Sequence, residues 1–419
     1  MTDEVGLLLR RAGFGPKPAE LAAARQAGYA RTLSNLVAPP GPDVGASLTP
    51  IPDLGPDPFV GLAAPTDEQV ARAHALRREQ TIRLSQWWLD RVVVADHQAV
   101  ERLQFFWQGH WATKVESAQF TLGQHRALRE AHDFVDMAHR MVGDRALVYW
   151  LDGQHNRKGA PNENLARELC ELFLLGIGNY SEKDVKEAAR ALTGYRVVLD
   201  RDSLVLDPQN HDDGPKTILG TTGDFTAQSL VDLLLRQKSC PRFVAARMWY
   251  RYASSSQSIP DRVRDRMVAA FPQPMPMLRA MFEDEAFATT AGGMAKSPLE
   301  WFVGALRHLG LRPGTFQDAT FARYFWSLDA LGQRPFGPPS VGGWPSGGAW
   351  LTSAAVSGKL IMAKQLVELV RPGPMTPEGV AYALCIDKWT DRTYQALRGV
   401  RDAGLLLTLG LVSPEYQVT

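Results

Sequence analysis

The chain of 419 residues is longer than one average domain, although a helical array of this length can share one continuous core. Apolar residues make up 45% of it and charged residues 22%, which is ordinary for a soluble globular protein. The net charge of +1, from 46 basic and 45 acidic residues, gives no electrostatic footprint for nucleic acid or for an anionic membrane as a partner.

The cysteine pattern excludes two classes of small stabilised domain. Cys170, Cys240 and Cys385 are too few and too scattered for a disulfide framework or a cysteine-rich zinc site. Cys170 falls within an apolar helical pattern, so we expect it to be a buried thiol.

Residues 1–38 are predicted to form two or three short N-terminal helices, with a break at Gly13–Pro16 and a restart near Pro18. The opening sequence MTDEVGLLLRRAGFG resembles neither a signal peptide nor a membrane anchor. No apolar run approaches the ~20 residues that are needed to span a bilayer. We therefore expect a cytoplasmic protein without a membrane partner.

Residues 39–66 form a connector rich in proline and glycine, which we expect not to be helical. The main helical domain is predicted over residues 67–419, starting with helices at 67–95 and 98–115. Short β-prone runs predict a small β insert at about 195–220, and a structured Gly/Pro-rich loop is predicted over 331–350. The remaining predicted helices cover about 127–143, 144–151, 182–192, 226–236, 239–253, 260–271, 275–283, 297–308, 317–330, 351–371, 376–386 and 390–410. The predicted fold class is mainly α, a multi-helix array with a small β-hairpin insert.

A polar loop of amides and charges runs directly into a leucine-rich helix within residues 155–180. Pro161 suits a first helical turn, and Asn162–Asn164 offer capping oxygens and negative charge to the exposed amides. The apolar stripe of this helix consists of Leu165, Leu169, Leu172 and Phe173. Gly176 and Gly178 are predicted to end the helix in the left-handed conformation that glycine favours.

The charges of this helix allow two interpretations. Glu163, Arg167 and Glu171 are spaced four residues apart, and Glu168 neighbours Asn164 and Glu171. On a solvated face such charges form ion pairs that contribute some tenths of a kcal/mol each. Buried charges must instead be paired, and a buried cluster of carboxylates, arginine and amides is also how an acid/base site is built.

Outside the helix, three further features carry candidate chemistry. His110 lies in the aromatic stretch FFWQGHW, where histidine is either a packing residue or a ligand. His211, Asp212 and Lys216 share a polar turn that suits a metal or a phosphate, although turns favour such residues for backbone reasons alone. Trp344 belongs to a glycine-rich loop that is either pinned by indoles or placed over a pocket. No nucleotide-binding motif is present.

Seven stretches, in this order, resemble a large bacterial family known as "domain of unknown function 1800". They are RRAGFG, FFWQGHW, LDGQHNRKGAPNENLARELCELFLLGIGNY, DVKEAARALTGY, HDDGPKTILG, KSPLEWFVGALRHLG and LGQRPFGPPSVGGWPSGGAW. The resemblance covers nearly the whole chain, and the block from Asn156 to Gly176 is its most specific part. It implies no established activity.

The resemblance also implies which residues of this chain match the family. Many members are exported and are encoded beside a sulfatase-like partner, whereas no export signal is visible here. Gln108 stands where relatives have the first His of a Phe-Trp-His-x-His pattern, and Tyr195 replaces a tryptophan. The matching polar residues and tryptophan, which suit a pocket, are Asn156, Arg157, Asn162, Glu163, Asn164, Arg167, Glu168, Glu171, Arg190, His211, Asp212, Lys216 and Trp344.

The leading hypothesis is an enzyme that carries out hydrolysis or group transfer on a small polar substrate bearing a carbohydrate or a carboxylate. Its predicted catalytic residues are Glu163, Glu168, Arg167, Arg190 and His110. Its predicted substrate-binding residues are Asn156, Arg157, Asn162, Asn164, Glu171, Lys216 and Trp344. A metal-assisted version uses a divalent cation held by His110, His211 and Asp212. The alternatives are a helical binding or scaffold protein whose polar cluster is structural, and a tryptophan-lined pocket for an apolar ligand.

Overall fold

The computed structural model describes residues 3–201 and 204–419, and within these ranges the chain is 60% helical. The prediction of a mainly α fold is confirmed. The first helices of the chain are α1 (Glu4–Ala12), α2 (Pro18–Ala27), α3 (Tyr29–Val37), α4 (Val44–Ser47), α5 (Asp67–Val94), α6 (Gln98–His110), α7 (Ala118–Glu130), α8 (Phe134–Val142), α9 (Arg145–Trp150), α10 (Asn164–Glu168) and α11 (Glu182–Ala191).

The later helices follow a short β region. They are α12 (Ala227–Leu235), α13 (Ser239–Tyr252), α14 (Asp261–Ala269), α15 (Pro274–Phe282), α16 (Glu285–Ala288), α17 (Pro298–Leu309), α18 (Asp318–Ala330), α19 (Ser353–Val370), α20 (Pro377–Ala383), α21 (Asp391–Leu397), α22 (Ala403–Val412) and α23 (Pro414–Gln417). Single turns of 3₁₀-helix lie at Gly153–His155, Pro313–Thr315 and Gly347–Trp350.

The β region consists of two separate antiparallel hairpins rather than one sheet. Strand β1 (Tyr195–Arg196) pairs with β2 (Val205–Leu206), and β3 (Lys216–Ile218) pairs with β4 (Thr221–Gly223). The predicted insert is therefore present and extends three residues beyond its expected end.

Helix α10 passes without interruption into one turn of π-helix at Leu169–Leu174. The amides of Leu175 and Gly176 both bond to the carbonyl oxygen of Cys170, at 3.1 and 3.0 Å, which closes the wide turn. Gly176 and Gly178 follow with φ of 81° and 86°, as expected for the end of this helix. Cys170 is buried as predicted, and burial raises the pKa of its thiol to about 12.

Two large apolar clusters form the interior. One joins α1 and α3 to helices between α6 and α16, so these two N-terminal helices share a core with the helices that follow. The other joins α5 to α17–α23. Helix α6 lies between them, because Phe106 and Trp107 belong to the first cluster and Phe105 belongs to the second.

Several predicted boundaries were wrong for local reasons. The proline-rich connector does contain one helical turn, α4, whose first amides are capped by the carboxylate of Asp43. The helix predicted to end at residue 115 ends at His110, and the stretch 390–410 is split into α21 and α22. None of the described helices has both the length and the apolarity that a bilayer crossing requires.

Candidate functional site

Asn156 is the centre of a buried hydrogen-bond network at the start of the polar segment. Its side chain is 3% exposed, and it donates to the carbonyl oxygen of Ala189 at 2.8 Å. Its amide oxygen accepts from the backbone N–H of Asn162 at 2.9 Å. The side chain of Asn162 in turn accepts from the N–H of Asn164, also at 2.9 Å. The side-chain amide of Asn156 thus holds the segment that leads into α10 against α11.

The same loop is bonded to the β region. The carbonyl oxygen of Asn156 accepts from the N–H of Gly194, and the N–H of Lys158 donates to the carbonyl oxygen of Asn210. The Lys158 ammonium pairs with the Asp213 carboxylate at 2.7 Å on the surface. Through these bonds the amide-rich loop that precedes α10 is joined to α11 and to the β insert.

Arg190 and the turn at 211–216 form a second part of this network. The guanidinium donates two bonds to the Asp212 carboxylate, at 2.7 and 3.1 Å, and pairs with Glu187. Hydrogen bonding from Arg190 holds the pKa of Asp212 below its ordinary value. Lys216 is 1% exposed and donates to the carbonyl oxygen of Gly214, while burial lowers the pKa of its ammonium. We call the bonded residues Asn156, Asn162, Asn164, Arg190, Asp212 and Lys216 the amide network.

The charges on the outer face of α10 are solvated. Arg167 pairs with Glu163 at 3.0 Å and with Glu182 at 2.7 Å, and the side chains of Arg167 and Glu163 are each 32% exposed. Arg157 is exposed as well. For these three predicted residues the arrangement is that of a surface ion-pair lattice and an open loop.

Glu168 differs from its neighbours because it is partly buried beside another carboxylate. Burial and the charge of Glu171 raise the pKa of Glu168. Glu171 accepts a bond from the Tyr180 hydroxyl at 2.9 Å. It lines a surface groove together with Asn179, Lys238, Arg242 and Arg247. Of the predicted acid/base residues, Glu168 therefore has the environment that favours a protonated carboxyl.

His110 is a packing and capping residue in this structure. Its Nε2 donates to the carbonyl oxygen of Phe173 in the π-helical turn at 2.9 Å, and the ring is 2% exposed among aromatic side chains. Burial, together with the charge of Arg247, lowers the pKa of His110 to about 3. The imidazole is consequently neutral at physiological pH and positions the end of the π-helical turn.

The predicted metal trio does not fit a cation. His110 uses Nε2 on Phe173, and the Nδ1 of His211 donates to the Thr193 carbonyl oxygen at 2.9 Å. Asp212 is engaged by Arg190. Within residues 3–201 and 204–419, no group of three or more His, Cys, Asp and Glu side chains has an arrangement that could hold a metal ion. The described residues therefore give no support to the metal-assisted version of the hypothesis.

Trp344 lines a different site, which we call the arginine cavity. This cavity of about 40 Å³ lies between the two apolar clusters, and the same measure requires roughly 10–15 Å³ for one water molecule. Its walls come from α6, α13, the start of α17 and the loop 331–350, and include Arg102, Phe105, Arg251, Tyr252, Glu300, Trp344 and Trp350. There is room for a few water molecules or one carboxylate-sized group.

The Trp344 loop reaches the cavity because glycine allows it to lie on α6. Gly343 has a φ of 83°, and a Cβ atom there would come within 2.3 Å of the Gly109 carbonyl oxygen. Arg251 donates to the carbonyl oxygens of Trp344 and Pro345, and Phe105 packs on the indole with ring centroids 5.5 Å apart. The glycine therefore makes room for the backbone of α6. Sequence analysis had suggested that it makes room for a ligand.

Three buried donors in the cavity wall lack a hydrogen-bond partner among the described residues. They are Nη1 of Arg102, the hydroxyl of Tyr252 and Nε1 of Trp344. The other terminal nitrogen of Arg102 pairs with Glu300. Buried polar groups are nearly always bonded in folded proteins. Three unpartnered donors around one cavity therefore indicate a place for a hydrogen-bond acceptor.

The charges around the arginine cavity are unbalanced. Burial alone would raise the pKa of Glu300, but Arg102 and the bonds from Ser297 outweigh it and hold that pKa below its ordinary value. Burial, together with the charge of Arg247, lowers the pKa of Arg251 to about 10. At neutral pH the wall thus carries two guanidinium groups and one carboxylate, which favours a bound anion.

The structure therefore divides the predicted site into two. Asn156, Asn162, Asn164, Arg190, Asp212 and Lys216 come together as the amide network, whereas Trp344 lies in the arginine cavity. Sequence analysis missed Arg102, Tyr252, Arg251 and Glu300. Arg102 could have been found from the sequence, because it is a charged residue on the apolar face of α6. Glu300 could not, because Ser297 and Glu300 form an ordinary capping box that already explains both residues.

The chain belongs to the family described as "Protein of unknown function (DUF1800)". The sequence model of that family matches residues 7–418, which is essentially the whole chain. Searches of curated proteins and of solved structures gave no match.

Within this DUF1800 protein, six of the seven stretches that carry the family resemblance separate into two spatial groups. Segments 105–111, 296–310 and 331–350 each contribute to the wall of the arginine cavity. Segments 151–180, 184–195 and 211–220 are joined in the amide network. His110 connects the groups, because it follows Gly109 of the cavity wall and donates to Phe173.

Proposed function

We propose that this DUF1800 protein binds a small molecule through an anionic group, of carboxylate size, in the arginine cavity. The observation that carries the proposal is the set of three unpartnered donors, from Arg102, Tyr252 and Trp344, around a space of about 40 Å³. A carboxylate accepts several hydrogen bonds and is strengthened by a guanidinium donor. It would also offset the excess positive charge of the wall.

The aromatic walls support a ligand that extends beyond its anionic group. Phe105, Trp344 and Trp350 border the cavity with apolar ring surface. Such rings pack against an apolar chain or the carbon face of a sugar, so the ligand class agrees with the expected polar, carboxylate-bearing substrate. We likewise propose a cytoplasmic location for this binding activity, as expected from the sequence.

An enzyme activity by hydrolysis or group transfer is the second proposal. It is favoured by Glu168, whose raised pKa suits a general acid, next to Glu171 on the π-helical turn. The surface groove that Glu171 lines carries three basic residues, Lys238, Arg242 and Arg247. This groove would receive the reacting part of a polar substrate.

Anion titrations test the first proposal directly. Acetate, benzoate and sulfate are titrated by calorimetry into the wild type and into Tyr252→Phe, with Tyr324→Phe as a matched variant of a buried tyrosine outside the cavity. We expect saturable binding of acetate, weakened about tenfold by Tyr252→Phe because one bond to a charged group is lost, and unchanged in Tyr324→Phe. Benzoate and sulfate, which are larger than the carboxylate-sized space, should bind more weakly than acetate. Absence of saturable binding, or equal affinity in the two variants, would overturn the proposal.

A further inference from the structure

Lys296 lies on the opposite side of the arginine cavity wall, in a separate pocket. The residue is 8% exposed, and its Nζ lies 3.6 Å from the ring centroid of Tyr416. The pocket has a volume of about 230 Å³. Its other polar lining groups include Arg10, His308, Cys385, Asp387, Lys388 and Glu415. An amine on a ring face in a pocket of this size is placed to meet a small organic molecule.

No carboxylate among the described residues pairs with the Lys296 ammonium. Asp387 is engaged by Arg10 and Arg25, each at 3.1 Å. Glu415 accepts from the hydroxyls of Thr390 and Thr393. The nearby carboxylate of α17, Glu300, is paired with Arg102 on the other side of the wall. The ammonium of Lys296 is therefore in direct contact with the tyrosine ring but with no carboxylate of the described residues.

Burial and two neighbouring cations disfavour the charged form of Lys296. Burial, followed by the charges of Arg10 and Lys359, lowers the pKa of Lys296 to about 7, against the opposing effect of Glu300. The ammonium of Lys359 bonds to the carbonyl oxygen of Lys296 itself at 3.2 Å. The stabilising effect of the Tyr416 ring is thus smaller than the cost of burial.

Two of the titratable groups that line the pocket, His308 and Cys385, carry no charge at neutral pH. His308 donates from Nε2 to the Pro16 carbonyl oxygen and accepts from the Tyr416 hydroxyl at Nδ1, and burial lowers its pKa to about 3. Burial raises the pKa of the Cys385 thiol to about 11. The pocket therefore offers a neutral imidazole and a neutral thiol, and neither supplies a counter-charge to Lys296.

We propose that Lys296 is a nucleophilic amine that forms an imine with a small aldehyde or ketone entering this pocket. The Nζ lone pair attacks the carbonyl carbon, and a C–N bond forms. The amine loses its two protons, the carbonyl oxygen takes up two protons, and this oxygen leaves as water when the C–O bond breaks. The reaction requires no oxidant or reductant, and it is independent of the arginine cavity and its ligand.

Reductive trapping tests the proposal. The folded protein is incubated with propanal and cyanoborohydride at pH 7, and the labelling of each lysine is followed by peptide mass spectrometry. Lys183, an exposed residue of α11, is the internal reference. We expect Lys296 to be labelled at least about tenfold faster than Lys183, since a depressed lysine has far more free amine at this pH. The ratio should shrink towards pH 10.

Two controls separate reactivity from access. In urea the two lysines should be labelled at equal rates, because the pocket is lost. Lys359→Met removes the neighbouring cation and should slow labelling of Lys296 at pH 7 while leaving Lys183 unchanged. Labelling of Lys296 that is equal to or slower than that of Lys183 in the folded wild type would overturn the proposal.

Discussion

Arg102 and Glu300 form an ion pair that joins the middle of α6 to the first turn of α17. One terminal nitrogen of the guanidinium is used in this pair, and the other is buried without a partner among the described residues, in a side chain that lines the arginine cavity. Glu300 therefore acts as a positioning residue for a donor and partly neutralises the charge that would attract an anion. Stability and anion affinity should respond in opposite directions when this carboxylate is removed.

Glu300→Gln should lower the free energy of unfolding by about 3 kcal/mol, because Arg102 then lacks a counter-charge. Glutamine keeps the capping bond to Ser297, so the start of α17 is preserved. The same variant should bind acetate more tightly than the wild type. Urea unfolding and calorimetry measure the two effects, and weaker acetate binding would contradict the role given to Arg102.

Tyr252→Phe should leave the stability of the ligand-free protein unchanged or slightly raised. The hydroxyl of Tyr252 is buried without a partner, so its removal costs no hydrogen bond. Thermal unfolding without added anion measures this effect. A loss of more than about 1 kcal/mol would mean that the hydroxyl has a structural bond.

Asn156→Ala should reduce stability by about 1–3 kcal/mol, because a buried carbonyl oxygen and a buried N–H lose their partners. Arg157→Ala, at the exposed neighbouring position, should have no measurable effect. Chemical denaturation of the two variants compares them. Near-native stability of Asn156→Ala would return Asn156 to the class of substrate-binding residues.

Glu168→Gln distinguishes the enzyme proposal from the scaffold alternative. Removing one of two adjacent carboxylates should raise stability by a few tenths of a kcal/mol at neutral pH. The raised pKa of Glu168 points the same way. A carboxyl whose pKa is raised by folding stabilises the protein at low pH, and this contribution is lost as the pH rises through the folded pKa. Once an activity is known, the enzyme proposal expects it to vanish in this stable variant, whereas Glu163→Gln should retain it.

Acid should destabilise the protein between about pH 6.5 and pH 3. His110, His125 and His308 are buried with pKa values lowered chiefly by burial, to about 3 for His110 and His308. Histidine in the unfolded chain binds a proton below about pH 6.5, whereas these buried histidines do not. The unfolded state therefore gains protons first, and the free energy of unfolding decreases as the pH is lowered. His110 and His308 should each account for roughly 2 kcal/mol at pH 5. A flat profile of unfolding free energy between pH 7 and pH 5 would contradict this.

The secondary structure was predictable wherever local signals act alone. The long helix α5 was predicted to within one residue at each end, because Thr66 caps it with a Gln three residues later. The end of α6 was not, since the stretch after His110 continues an apolar pattern although the chain turns. The break between α21 and α22 does carry local signals, Gly399 and the N-cap Asp402, which the prediction of one helix over 390–410 overlooked.

The candidate site was only half predictable. The amide network lies within residues 155–216, so short sequence distances and capping patterns revealed it, although not that Asn156 is internal and Arg167 external. The arginine cavity joins residues from α6, α13, α17 and the loop 331–350, and pairings over such distances leave no periodic signal. Glu300 shows how one residue can have a local explanation and a distant partner at once.

The position of α6 between two interiors has a consequence for evolution. Phe105 and Phe106 are neighbours in sequence but serve different clusters. One extra residue before Arg102 would rotate the rest of the helix by about 100°. Arg102, His110 and both phenylalanines would then exchange environments together. Insertions should accordingly be tolerated in the flanking loops of this helix and lethal to folding inside it.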